Sequence, residues 1–455
     1  MATVGLNFGS ATSGTGFDVS TTVSSILAIQ GAIETPWKNQ LATLQAQDTV
    51  LTTLGTDLST LTTSIQSLTD ITGVLASKQG SSSNTNVVAL ASADATATAG
   101  SHTVVVNSLA TTASEYSDLV TDSSAVLSGS ITIAGTTITI GSSNNTLASL
   151  AASINAADLG VNASVITDST GSRLSLVSST GGSAGQSLIS GISGSLTYTT
   201  TSNTTPATLD LNAGQTGVNA SLTVDGVNIS SATNTITGAI PGVTFQALAT
   251  GSSQIAIAND NSSVESAVSS FVTAYNAVIK DINGQEGNDA TGAAEPLYGS
   301  PTLATVQSQL QSALSGGGGS GSITSIAQLG LSVNNDGTLT LNNATLDTTL
   351  NTSYSDVAGF LQNSGSFGQT VSSALNNLGT QAPDGLVYLA QQQNTSEEAS
   401  LNASITKEDA VLATQKISLT NELNTANQIL QSIPSQLNEI NEIYSAVTGY
   451  NNQNG

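Results

Sequence analysis

Large apolar side chains return at steps of three and four along residues 37–68: Trp37, Leu41, Leu44, Leu51, Leu54, Leu58, Leu61, Ile65 and Leu68. That spacing lines one face of a helix and predicts a seam packed against other helices. The rhythm loses a residue near Gln47 and Asp48, as a stammer would, so a bend is expected there. Pro36 interrupts the chain just before the seam. Ahead of it lies a shorter amphipathic segment, with Phe17, Val19, Val23, Ile26, Leu27 and Ile33 near helical spacing and Asp18 or Ser20 placed to cap it. A second seam begins at Ile405. It steps by four and three through Leu412, Leu419, Leu423, Leu430, Ile433, Leu437 and Ile440 to Val447, with Asp409 and Lys416 as polar exceptions. As one helix, 405–447 would extend roughly 65 Å, and Pro434, which lacks a backbone donor, predicts a kink in it.

Between the seams the period falls to two. NVVALASADA and SHTVVVNSLA alternate as half-buried strands do, and SGSITIAGTTITIGS reads as a hairpin around Ala134 and Gly135. NTLASLAASINAA returns to helical spacing through Leu147, Leu150 and Ile154, with Asn145 or Thr146 at the cap position. VNASVITD and SRLSLVSS are further strands. Residues 180–216 are rich in Gly, Ser and Thr and read as loop or boundary. Strands resume from ASLTVDGVNIS to QIAIAND. Helical spacing follows through Val264, Val268, Phe271, Val272, Tyr275 and Ile279, and again in PTLATVQSQLQSAL. NNDGTLTLN carries an Asp-Gly turn suited to a tight hairpin.

The expected fold class is therefore α+β and multidomain: N- and C-terminal helices form a coiled-coil leg, with two β-rich head domains inserted between them. The expected division is a mobile segment with a short helix (1–36), a leg helix (37–78) and a head domain built from 79–125 and 215–262. A second head domain (126–214) is inserted into the first; a helical domain with a hairpin (263–380) and a C-terminal coiled-coil helix with a mobile tail (381–455) follow.

Charge narrows the function. The 455 residues include 30 acidic and only 6 basic ones, for a net charge of −24. Nucleic acid and anionic lipid both require clustered Lys and Arg, so neither is an expected partner. No stretch approaches the roughly 20 apolar residues of a membrane span, the N-terminus shows no ordinary signal peptide, and the absence of cysteine removes thiolate chemistry. The single histidine, His102, lies in a strand pattern, where a packed or surface role is the default. GGSAG (181–185) matches the G-x-S-x-G nucleophile pattern, but such matches arise by chance in a chain this rich in Gly and Ser. The NNDGT turn lacks the spacing of a calcium loop. No catalytic residue, metal or cofactor is expected; the chain reads as a structural or binding protein.

Several ordered stretches carry a resemblance. GTGFDVSTTVSSILAIQ contains a G-x-D-V segment followed by an amphipathic helix, SHTVVVNSLATTAS a first head strand, and NTLASLAASINAADLGVNASVITD a T-L-x-x-L-A-x-x-I-N motif. GVNASLTVDGVNISSATNTITGAIPGVTFQAL, then SSFVTAYNAVI and AQLGLSVNNDGTLTLN, supply T-V-D-G, S-x-x-N-x-I, I-P-G-V-T, F-V-x-x-Y-N and L-G-x-x-x-x-x-D-G-x-L in order. Together they resemble the bacterial flagellar filament cap family, also called hook-associated protein type 2, most strongly over 217–282. Phe17 stands where Leu or Ile is more usual, and residues 380–455 match in heptad character more than in motif.

The resemblance implies an extracellular protein at the flagellum tip, secreted without a cleavable signal, that assembles as a small ring-shaped homo-oligomer and helps flagellin fold and polymerise. It implies flagellin, hook-associated junction proteins and a cytoplasmic export chaperone as partners, and a head available to surfaces. The leg seam would be Leu44, Leu51, Leu54, Leu58, Leu61, Ile65 and Leu68 with Leu412, Leu419, Leu423, Leu430, Ile433, Leu437 and Ile440, and the 37–68 stretch would pack against 405–447 and the helices after 262. The N-terminal assembly segment would be Phe17, Asp18, Val19, Val23, Ile26 and Leu27. Another axial flagellar protein, either flagellin or a hook–filament junction protein, and a β-domain surface adhesin remain as alternatives.

Overall fold

A computed structural model describes residues 15–319 and 321–449; the expected mobile extremes at 1–14 and 450–455 lie outside them. The architecture is α+β and multidomain. A helical unit is drawn from both ends of the chain, up to Thr69 and from Ala267 onward, and a β-rich unit comprises Asp70–Ser266.

The chain enters the helical unit through α1 (Val19–Gln30), a single 3-10 turn at Gly31–Ile33 and α2 (Glu34–Thr69). The interruption thus falls at Gly31 rather than at Pro36. Pro36 sits in the first turn of α2, where its missing N–H has no helical acceptor to lose.

The β-rich unit has two cores. In the first, a five-stranded antiparallel sheet is ordered Lys78–Ser82, Gly251–Asn259, Gly100–Ser108, Ala220–Val224, Val227–Ser231, and a three-stranded sheet Thr235–Ile240, Val243–Ala247, Val88–Ala93. Their alternating inward residues, Val88, Val104, Leu222, Phe245 and Ile255 among them, are fully buried in one cluster. In the second, two four-stranded sheets bury Ile131, Ile133, Leu174 and Leu176 together with Leu150 and Ile154 of α3 (Leu147–Ala156). Thr146 caps α3 by accepting from Ser149 N. Two hairpins turn where the sequence demands positive φ: Ala134 (50°) with Gly135 (79°), and Asp225 (49°) with Gly226 (84°).

Residues 180–216 are more ordered than their composition indicates. Strand Gly171–Gly181 runs into α4 (Gly182–Ser190), and strands Ser193–Thr199, Ala207–Thr208 and Leu211–Ala213 follow. Three isolated apolar residues, Ile189, Leu196 and Leu209, supply the buried anchors. The glycines permit close approach: a methyl group on Gly185 would meet Thr180 O at 2.0 Å. Long polar intervals hid this pattern from a periodicity reading.

The helical unit is completed by α5 (Asn261–Gly284), α6 (Pro301–Ser315), α7 (Asn343–Gln362), α8 (Phe367–Leu378) and α9 (Leu386–Thr448), with a small hairpin of Leu331–Val333 and Leu339–Leu341. Helix α9 continues through Pro434 as one assigned helix. Phe360 stacks on Phe367 with ring centroids 5.1 Å apart, and Phe271 of α5 meets Phe367 edge-on at 6.5 Å.

Three asparagines, each closing or lying within a motif, act as side-chain clamps. Asn155 Nδ2 donates to Ala163 O while Asn155 Oδ1 accepts from Ala163 N, at 2.8 and 2.7 Å. Asn234 grips Ala110 in the same two-bond manner, and Asn276 of α5 grips Leu339 of the small hairpin. One amide thereby satisfies both backbone groups of a single distant residue.

Candidate functional site

The candidate site is the pairing of α1 and the first half of α2 with α9. Asp18 starts α1 by accepting from Thr21 N and from the Thr21 hydroxyl at 3.1 and 2.6 Å; these bonds hold its carboxyl below the usual range. Val19 and Val23 are buried, while Phe17, Ile26 and Leu27 are half-buried. Phe17 N donates to Asn427 Oδ1 of α9 at 2.8 Å. Gly16 has φ of 65°, and a methyl group there would lie 2.1 Å from the same oxygen. The G-x-D-V residues therefore have separate tasks: Gly16 allows the approach, Asp18 caps, and Val19 fills the interface.

From that anchor the pairing runs antiparallel, nearly residue for residue. Gly31 lies against Leu412, Gln40 binds Glu397, Asp48 accepts from Asn394 at 2.9 Å and Thr52 accepts from Gln391 at 3.1 Å. Near its midpoint Glu34, only 4 % exposed, holds Lys38 at 2.6 Å. The Glu34 carboxylate, with Asp409 adding, raises the Lys38 ammonium above its ordinary value.

The stammer near Gln47 and Asp48 marks a change of neighbours. Gln47 donates to Pro296 O and Asp48 binds α9, beside a cleft of about 390 Å³ lined by Gln47, Leu51, Tyr298, Leu389 and Asn394. Beyond it Leu51, Leu54, Leu58, Leu61, Ile65 and Leu68 are fully buried. Their half of α2 lies against α7, α8 and the opening turns of α9; Gly55 touches Thr380 and Val387. Of the partners expected for this stretch, the helices after residue 262 are found, as α7 and α8, whereas 405–447 is not among them. Residues 405–447 belong instead to α1 and the first turns of α2, where Gly31 meets Leu412 and Asp409 acts on Lys38; Leu44, buried at 8 % exposure, lies opposite an earlier part of α9. The reason is register: with Gly31 against Leu412, α9 begins opposite Gly55, and α7 and α8 cover the turns of α2 beyond it.

On α9 the seam residues Leu412, Leu419, Leu423, Leu430 and Ile433 are half-buried. Leu437 and Ile440 are not covered among the described residues, at 42 % and 60 % exposed, and Tyr444 and Val447 continue the run at 56 % and 81 %.

The chemical candidates resolve into structural roles. His102 Nδ1 lies 2.7 Å from Asp225 Oδ2, whose other oxygen accepts from Thr103 N, pinning the hairpin turn to its neighbouring strand. Ser183 does open a helix after a strand, unlike the loop expected for GGSAG, but its hydroxyl faces Asn219 Oδ1 at 3.3 Å. Among the described residues no group of three His, Asp or Glu could hold a metal ion, and no helix is long and apolar enough to cross a membrane. Sequence reasoning missed the Glu34–Lys38 pair, which the i,i+4 spacing could have shown.

Comparison with known proteins agrees with this geometry. Residues 217–446 match the family "Flagellar hook-associated protein 2 C-terminus", residues 15–113 the corresponding N-terminus, and residues 130–180 the "Flagellin hook IN motif". The B-type flagellar hook-associated protein 2 of Pseudomonas aeruginosa is 31 % identical over 377 residues, covering 75 % of this chain and 78 % of its own. Flagellar hook-associated protein 2 of Escherichia coli is 28 % identical over 384 residues, covering 77 % and 80 %. The crystal structure of the Escherichia coli flagellar cap protein superposes with a TM-score of 0.57 at 25 % identity, over 76 % of this chain and 99 % of that one. This chain belongs to the flagellar hook-associated protein 2 family.

Proposed function

We propose that the protein caps the distal tip of the bacterial flagellar filament and promotes flagellin folding and polymerisation there, as a structural component without covalent chemistry. The observation that carries this reading is the partly committed C-terminal helix. Half of α9 is paired with α1 and α2, and its distal turns present Leu437, Ile440, Tyr444 and Val447 to an external partner. An assembly factor that moves as subunits insert needs such a surface, apolar enough to bind yet held by few fixed contacts. In this reading the chain works as a ring-shaped homo-oligomer outside the cell, touches flagellin and the hook-associated junction proteins, and is masked by a cytoplasmic chaperone before export. The β-rich unit, dense in Thr, Ser and Asn, is then free to meet surfaces.

Deleting residues 430–455 should abolish filament growth in a strain lacking its own cap protein, while circular dichroism of the purified variant retains the β-rich signal. Filaments of normal length from that variant would overturn the proposal.

A further inference from the structure

A strand at the edge of a sheet is a template for a further strand unless something guards it. Among the described residues of the β-rich unit, the longest edge strand is Val161–Asp168, last in the order Leu211–Ala213, Thr112–Ser117, Gly171–Gly181, Val161–Asp168. It carries no proline and no lysine, and its register with Gly171–Gly181 runs without a bulge from Val161 opposite Ser178 to Asp168 opposite Gly171. Its one charge, Asp168, is occupied by the N–H and hydroxyl of Thr170. Arg173, paired with Ile166, is drawn away from the edge, over the Tyr116 ring at 5.6 Å and onto Ser117 O at 3.0 Å.

Helix α3 guards one end of this edge and thereby shows which backbone groups face outward. The Asn155 amide takes both the N–H and the C=O of Ala163. Ala163 therefore points away from Gly171–Gly181, and by the alternation of an antiparallel ladder so do Val165 and Thr167. No hydrogen bond from the described residues outside the ladder reaches the backbone of either. Two donors and two acceptors thus stand open on either side of Ile166, whose side chain is itself 58 % exposed.

We propose that this edge pairs with the same edge of a second copy of the chain, antiparallel about a two-fold axis at Ile166. Val165 then lies opposite Thr167 of the second copy, and Thr167 opposite its Val165. Each of these pairs exchanges both of its N–H···O bonds, so every open group is satisfied. The two Ile166 side chains meet in the closer, non-hydrogen-bonded position between them. Asp168 faces Ser164, so no like charges are opposed. Length also favours this occupant. Ala163 would face Ser169, where the hairpin of the second copy turns, so the incoming strand ends where Asn155 closes the edge. A longer foreign strand would run into that clamp. The contact is isologous and closes on a pair; it goes beyond the capping role and does not rest on it.

The chain has no cysteine, so single-cysteine variants of the full chain report the register directly. Ile166→Cys sets two thiols on Cα atoms about 4.5 Å apart, within disulfide reach, and oxidised glutathione should convert it to a covalent dimer. Ser164→Cys, also on an exposed position, stands roughly 13 Å from its symmetry mate and should stay monomeric. In the wild type, amide exchange at Val165 and Thr167 should slow as the protein is concentrated toward about 1 mM, the range of so small a contact. Ile166→Lys opposes two like charges and should abolish that slowing with the circular dichroism unchanged. An Ile166→Cys chain that stays monomeric, equal cross-linking at 164 and 166, or wild-type exchange indifferent to concentration overturns the pairing. Protection that appears only when purified flagellin is added assigns the edge to a foreign strand and overturns the second copy as its occupant.

Discussion

The two heptad seams have the same rhythm and opposite fates. Along 51–68 every seam residue is inside, because α2 is enclosed there by α7, α8 and the opening of α9. Along 412–440 the same residue types are half-buried and then exposed, because α9 has one partner and outlasts it among the described residues. A single neighbouring helix covers one strip of a cylinder, whereas a core requires several. The first seam is thus a folding element, and the second has surface left for assembly.

The largest break in that comparison comes from the first seam. Leu58→Ala should cost the helical unit about 2–5 kcal/mol, read as a lower urea midpoint for that unit with the β-rich transition unmoved. Asn276→Ala should cost about 2 kcal/mol, since it removes two hydrogen bonds and strands the backbone of Leu339; hydrogen exchange at 331–341 would report it.

Acid should act on the β-rich unit through a set of aspartates. Asp94, Asp122 and Asp168 are held below the ordinary range by the hydroxyl and N–H of Thr96, Ser124 and Thr170. Their contribution is present above the unfolded value near 3.8 and is lost as pH falls through their lower folded values. Melting temperature of the β-rich unit should therefore fall below about pH 4.

Tyr275→Phe should be neutral or stabilising by up to about 1 kcal/mol, because the buried hydroxyl has no hydrogen-bond partner among the described residues. Ile440→Ala should change stability least, within about 0.5 kcal/mol, yet reduce filament length in a motility assay. A large stability loss from Ile440→Ala would erase the distinction between the seams.

Much was legible locally. The α1 cap at Asp18 and the α3 cap at Thr146, each one of two candidates, the Ala134-Gly135 and Asp336-Gly337 turns and both seams follow from residue type and spacing. The motifs marked Asn155, Asn234 and Asn276 without revealing their clamping role, which depends on backbone segments brought to them by the fold. Helix α4 was hidden because its burial rests on few apolar residues and on glycines read as loop.

The sequence by itself determined which face of each terminal helix is apolar, because periodicity is a property of neighbouring residues on one helix. Only the tertiary structure decided which face becomes core, since burial depends on how many elements converge at a point. The same holds for Asn276 and Leu339: nothing in either segment alone announces the other, and only the fold brings the side-chain amide to that backbone.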